Sequence, residues 1–181
     1  LTPEDPLAGL DELAAQVKAS GIRTVSGDVI IDDRLFQGTL AEQPITPIVI
    51  NQNLLDVLVT PGEAGAPATA ALTPAVGKWA LDLQVETVPA GEEYKVEAPE
   101  VSASDPNTIV VTGTIAADAD PVLRVFEFED PSTFARTAFI EALERAGVTV
   151  GADPFAGHPK SALPNWDAVE ALPADFDGDV L

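Results

Sequence analysis

What most constrains this chain is a pattern that occurs near both ends: an amphipathic helix, a glycine that stops it, and a β-branched run. In the first unit Leu10, Leu13, Ala14 and Val17 fall at i, i+3, i+4 and i+7, which predicts one apolar stripe. Asp11 and Glu12 stand in the first turn and Lys18 in the last, as the helix dipole favours. Gly21 ends the helix, and Val29-Ile30-Ile31 follows as a continuous β-branched run, the signature of a strand buried on both faces. In the second unit Asp130 and Pro131 take the N-cap and first helical positions. The helix runs through Phe134, Ala135, Phe139, Ala142, Leu143 and Ala146 to Gly147, and Val148-Thr149-Val150 follows.

Two such units predict one α/β layer built from both ends of the chain. Val122 to Phe128 alternates in part and reads as a strand leading into the second helix. The middle follows a different grammar. Leu55–Thr60, Trp79–Val85 and Thr108–Ile115 are short apolar runs separated by Pro61-Gly62 and Asp105-Pro106-Asn107 turns. The expected fold is therefore a Rossmann-like three-layer α/β sheet with flanking helices, interrupted by a small all-β domain. Residues 1–52 and 119–181 form the α/β part and 53–118 the insertion. Glu63–Ala68 reads as a mobile loop, and the acidic, Pro-rich stretch after Gly151 as a linker or extended cover.

Charge narrows the function. Nine Lys and Arg stand against thirty Asp and Glu, a formal net charge of −21, so no basic face for nucleic acid can form. Anionic membrane surfaces are disfavoured for the same reason, and no run of about 18 apolar residues exists to span a bilayer. Such acidity fits solubility or a saline or extracellular setting. The absence of Cys excludes disulfides, thiolate chemistry and Cys-ligated zinc. Leu1-Thr2-Pro3-Glu4-Asp5-Pro6 lacks the basic and apolar regions of a signal peptide, and with no Met in the chain the natural start is expected upstream.

Candidates for chemistry are few. The single histidine, His158, lies in a Gly/Pro loop and is expected to be solvated, although a Ser-His-Asp site could be built on it. None of the six serines (20, 26, 102, 104, 132, 161) has Lys three positions later, and no Lys-Thr-Gly triplet occurs. Asp32 and Asp33 end a predicted strand, where α/β proteins place ligand-binding groups; a turn-forming Asp pair is the favoured reading over a carboxylate-based hydrolase. Asp175, Asp177 and Asp179 hint at Ca²⁺, but Gly178 is fourth in that segment rather than sixth as in an EF-hand loop. No Gly-x-Gly-x-x-Gly or Walker pattern is present. Trp79 is expected in the core rather than as a sugar platform. No catalytic, cofactor-binding or metal-ligating residue is assigned, and no cofactor is expected.

The residues do resemble one family. The order helix, Ala19-Ser20-Gly21-Ile22, Val25, Gly27-Asp28-Val29, Asp32 and Phe36 is similar to the D-alanyl-D-alanine carboxypeptidase/endopeptidase family, the class C penicillin-binding proteins of peptidase family S13. So are Ile50-Asn51-Gln52-Asn53-Leu54, Val57, Val59-Thr60-Pro61-Gly62, Val111-Thr112-Gly113-Thr114-Ile115 and the helix from Asp130-Pro131 to Val150. These matches occur in the family's order across residues 5–155. The resemblance implies an α/β domain, itself interrupted by a β domain, inserted between the Ser-x-x-Lys and Ser-x-Asn motifs of a penicillin-binding domain. It implies an exported parent acting on peptidoglycan stem peptides through an acyl-serine intermediate. This segment would then be the non-catalytic insertion, partnered by the catalytic domain of the same chain, with peptidoglycan as a further candidate partner. The alternative is a stand-alone acidic module binding Ca²⁺ or a cationic partner.

Overall fold

Helix, glycine and strand follow one another at both ends of the chain in the computed structural model, which describes residues 5–35, 38–40 and 43–163. Helix α1 (Ala8–Ala19) leads through Gly21 to β1 (Thr24–Val25), and helix α2 (Pro131–Arg145) leads through Gly147 to β10 (Thr149–Val150). Both glycines have positive φ, +98° and +81°, the left-handed exit that ends a helix without a Cβ clash. The echo in the sequence becomes a pairing in space. β1 and β10 lie side by side and parallel, Thr24 opposite Thr149 and Val25 opposite Val150. Lys18 Nζ donates to the Gly147 carbonyl, so a side chain of the first helix meets the exposed end of the second.

The rest of the chain forms a hairpin and two three-stranded sheets. The hairpin is β2 (Gly38–Leu40) with β3 (Gln43–Ile45). β4 (Leu54–Thr60) lies between β5 (Thr69–Thr73) and β9 (Val122–Glu127), antiparallel to both. β8 (Thr108–Ala116) runs parallel to β6 (Ala80–Val88) and antiparallel to β7 (Glu100–Val101). Val57 and Val59 of β4 alternate inward and meet Val85, Val111 and Ile115 in one cluster, so the two sheets bury a common face.

The packing of α2 explains why the two ends come together. Phe134, Ala135, Ala138, Ile140, Ala142 and Leu143 are all buried along it. One side joins Ala14, Val29, Val148 and Val150; another meets Leu55, Ile109 and Phe128 of the β elements. Burying a side chain such as Phe134 stabilises the fold by about 2–3 kcal/mol.

Several expectations need correction. The three-layer Rossmann-like arrangement does not appear among the described residues; both helices pack together beside a two-stranded parallel pair. Val29-Ile30-Ile31 is not a strand buried on both faces. Its backbone donors go to side chains instead: Val29 N–H to Asp28 Oδ1 at 2.7 Å and Ile31 N–H to His158 Nε2 at 2.9 Å. Leu13 leaves the predicted stripe, 46% exposed, and lines an apolar groove of about 450 Å³ with Ile30, Val49 and Phe139. The Glu63–Ala68 segment, expected to be mobile, is tied to β6 by Gly65 N–H to Thr87 O at 2.8 Å and Ala68 N–H to Val85 O at 2.9 Å. It carries hydrogen bonding from one sheet to the other. The strand expected before α2 is present as β9; its pairing with β4, across the expected boundary between the two parts, was not foreseen.

No helix among the described residues is long and apolar enough to cross a membrane.

Candidate functional site

The first turn of α2 brings together three of the residues weighed in the sequence, Asp33, Ser132 and His158. Asp130 caps the helix as expected: Oδ1 accepts from Thr133 N–H at 3.1 Å and Oδ2 from Thr133 Oγ1 at 3.0 Å. The same Thr133 Oγ1 accepts the backbone N–H of His158 at 3.0 Å. Lys160 Nζ lies 3.8 Å from Asp130 Oδ2. Ser132, next along, donates to Asp33 Oδ2 at 2.7 Å.

His158 is therefore not the solvated loop residue expected. It is 9% exposed, and its Nε2 takes the place of a carbonyl as acceptor for Ile31 N–H. An accepting Nε2 requires the ring proton on Nδ1, and that atom is buried without a hydrogen-bond partner. The loop that carries the ring is itself pinned by Arg136, whose Nη1 donates to the carbonyls of Asp153 and Ala156 at 3.0 and 3.1 Å.

Ser, His and Asp are thus all present around one helix turn, but their order is not that of a charge relay. A nucleophilic serine donates to the imidazole, which an acid in turn orients. Here Ser132 donates straight to Asp33, and the imidazole accepts from a backbone amide. Ser132 is also buried, with no face open to a substrate. Asp32 is occupied separately. Its two oxygens take Arg34 Nε at 2.8 Å and Arg34 Nη2 at 2.7 Å, and Oδ1 also accepts Arg34 N–H at 3.2 Å. The hydrogen bond from the Arg34 side chain, aided by the Arg34 N–H and the guanidinium charge, holds the Asp32 carboxyl below the usual range against the opposing effect of desolvation. Asp32 and Asp33 lie just before a turn at Arg34 and Leu35, with Asp32 Oδ1 accepting Arg34 N–H; no strand among the described residues ends there, unlike the arrangement expected from the sequence.

Arg136, which no motif singled out, and Gln52, named only within the family resemblance, lie at two further features of this region. Arg136 is 0% exposed, and its Nε and Nη2 reach Asp28 Oδ1 at 2.9 and 2.6 Å. A basic residue within the apolar run Phe134-Ala135 to Ala138-Phe139 was the signal for it. Gln52 is the other: with Asn51 and Asn53 it forms three consecutive left-handed residues, φ 48°, 57° and 60°. Asn51 Nδ2 bonds Leu54 O at 2.9 Å, and Asn53 bonds Ile50 N–H at 3.2 Å and Ile48 O at 3.1 Å. These local bonds hold a conformation that otherwise costs about 1–2 kcal/mol per residue.

Two clefts flank the helix start. One, of about 430 Å³, is lined by Asp33, Gln52, Asn53, Glu127, Asp130 and Lys160. The other, of about 240 Å³, has Trp79, Phe126 and Phe128 in its lining. Trp79 is partly buried, its ring centroid 5.1 Å from Phe128 and 5.3 Å from Phe134, so it packs on the core while facing that cleft. Among the described residues no group of three or more His, Cys, Asp or Glu is placed to hold a metal. Asp175, Asp177 and Asp179 of the suspected Ca²⁺ segment, Phe36, and Leu1 to Glu4 lie outside the described residues.

Comparison with known proteins places these features in a family. The sequence profile described as "D-Ala-D-Ala carboxypeptidase 3 (S13) family" matches residues 1–162. A D-alanyl-D-alanine carboxypeptidase from Actinomadura sp. (strain R39) is 33% identical over 90% of this chain and 33% of its own length. Two crystal structures of penicillin binding protein 4 from Haemophilus influenzae share the fold. One, complexed with a β-lactam, superposes with a TM-score of 0.56 at 19% identity over 86% of this chain and 36% of that one. The other gives 0.58 at 17% identity over 86% and 38%. The chain thus spans about a third of the length of each of these relatives.

Proposed function

We propose that this chain, which belongs to the D-Ala-D-Ala carboxypeptidase 3 (S13) family, forms the non-catalytic inserted domains of an exported serine-type D-Ala-D-Ala carboxypeptidase/endopeptidase that remodels peptidoglycan. One observation carries this reading. Nearly all of the chain aligns with an S13 relative while covering only 33% of it, and no Ser-x-x-Lys, Ser-x-Asn or Lys-Thr-Gly lies in the aligned part. Acyl-enzyme chemistry needs a serine whose proton passes to a base, and Ser132, in the first turn of α2, is committed to Asp33.

In this reading residues 1–52 and 119–181 form the α/β unit and 53–118 the unit inserted into it. The module works outside the cytoplasm beside a penicillin-binding domain of the same polypeptide. The parent reading frame supplies the test: Ser-x-x-Lys before this segment, with Ser-x-Asn and Lys-Thr-Gly after it, is the expected outcome, and a frame lacking them sinks the proposal. Incubation of residues 1–181 with a fluorescent penicillin is expected to leave the protein unlabelled; a covalent adduct would refute the non-catalytic assignment.

A further inference from the structure

The smaller cleft lies where four elements end together: the starts of β6, β8 and α2 and the end of β9. Its floor is aromatic. Trp79, Phe126 and Phe128 line it, and Phe128 is stacked on Phe134 with centroids 4.0 Å apart. Its rim is polar, and the groups there are not used up by the fold. The side-chain amide of Asn107 and the carboxylate of Glu129 make no hydrogen bond or ion pair among the described residues. Lys78 Nζ spends one donor on Phe155 O at 3.1 Å and sits 5.6 Å from the centroid of the Trp79 ring, with no carboxylate of the described residues in ion-pair contact. Burial pushes this ammonium below the usual lysine range, helped by Arg136 and opposed by Asp130 and Asp153. A cation is held there at a cost in hydration, beside an open apolar floor.

The pairing of charges selects the ligand. An anion drawn to Lys78 meets Glu129 and Asp130, and a cation drawn to those carboxylates meets Lys78. A neutral ring with several hydroxyls uses both signs, accepting from the ammonium and donating to the carboxylate, while its C–H face lies on the aromatic floor. Val101 and Pro106 line the same cleft as Asn107, so a methyl group and an amide held together find apolar and hydrogen-bonding partners there. We propose that this cleft binds one N-acetylated amino-sugar ring of a glycan chain, with the Trp79 side as platform and Lys78, Asn107 and Glu129 as hydrogen-bonding rim. The choice of amino sugar rests on the cell-wall function proposed above; the cleft geometry does not depend on it.

The chain has two tryptophans, Trp79 and Trp166, so a Trp166→Phe background isolates the emission of Trp79. Titration of residues 1–181 with the β-1,4-linked tetramer of N-acetylglucosamine is expected to shift that emission saturably. Asn107→Ala and Glu129→Ala, both outside the core, are each expected to weaken binding about fivefold to tenfold. The absence of saturation up to about 20 mM, weaker than any binding worth assigning to a built site, overturns the proposal. So does equal or stronger binding of cellotetraose, which lacks the acetamido group, or of the dipeptide D-Ala-D-Ala. Unchanged affinity in the Asn107→Ala/Glu129→Ala double variant would place the sugar elsewhere and overturn it as well. Failure here with all three motifs present in the parent frame removes the glycan cleft and leaves the module reading standing; the converse result removes only the module reading.

Discussion

Arg136 and Asp28 meet through two hydrogen bonds to a single carboxylate oxygen, at 2.9 and 2.6 Å, joining the middle of α2 to the extended segment after β1. The arginine side chain is 1% exposed and the aspartate 38%, so the charge that cannot reach water is the guanidinium. Removing Asp28 leaves it buried with only backbone carbonyls as partners. Asp28→Ala is therefore expected to destabilise the fold by about 3–5 kcal/mol. Arg136→Met, which removes the buried charge and keeps much of the volume, is expected to cost less. Urea denaturation of both variants gives the comparison, and equal losses would contradict this account.

Gly113 occupies a position that no other residue fits. Its φ is +128°, and a Cβ there would overlap the carbonyl oxygen of Lys95, which accepts Thr114 N–H at 2.9 Å. Gly113→Ala must push apart the 95–97 segment and β8, and a loss of about 2–4 kcal/mol is expected, in the range set by backbone strain and overpacking. Thermal unfolding measures it, and a midpoint within error of the parent protein would show that the segment yields freely.

The role of His158 separates two substitutions. His158→Ala leaves Ile31 N–H without its acceptor and is expected to cost about 1–3 kcal/mol. His158→Gln can offer an amide oxygen to the same N–H and is expected to recover part of the loss. Hydrogen exchange at the Ile31 amide is the direct readout: fast in the alanine variant, slower in the glutamine variant.

Stability against acid has a defined sign. Asp32 is held low by Arg34, and Asp105 by hydrogen bonds from Asn107 N–H and Thr108 Oγ1. At Asp130 desolvation pushes the carboxyl up, but the two bonds from Thr133 and the charge of Lys160 outweigh it, and the net displacement is downward. Carboxyls that titrate lower in the folded state lend stability that is complete above about pH 4 and lost as the pH falls through their folded values. Glu141 opposes this, because desolvation raises it despite the Gly77 N–H and the Arg145 charge. Asp130→Asn keeps a good N-cap and removes one titrating group. Its stability near pH 7 is expected to fall slightly below the parent's, by under about 1 kcal/mol, and the two are expected to converge as the pH falls below 4, followed by circular dichroism.

What could be read from the sequence was local. The Asp130-Pro131 cap and the stop at Gly147 depend on neighbours within a turn, and they fold as read. β4 and β8 declare themselves by short apolar runs between turns. The errors came where a distant residue takes over a backbone group. Val29 to Ile31 is β-branched enough for a strand, yet Ile31 bonds to a side chain 127 residues away. The His158 loop is rich in Gly and Pro, as solvated loops are, but Arg136 and Thr133 hold it against α2. The polar network and the aromatic cleft draw on residues scattered from Asp33 to Lys160, and no spacing rule connects them.

The parallel pairing of β1 with β10 has a consequence in time. Thr24 has no strand partner until Thr149 has been made, so α1 and β1 must wait for the far end of the chain. β4, β5, β6, β8 and β9 find all their partners within residues 54–127 and can assemble while the first helix is still unpartnered. Distant contacts close slowly because the intervening chain must first be ordered. Folding is thus expected to run from the middle outward. Pulsed hydrogen exchange during refolding should find Val57 and Val111 protected before Val25; simultaneous protection would mean that α2 recruits both ends in a single step.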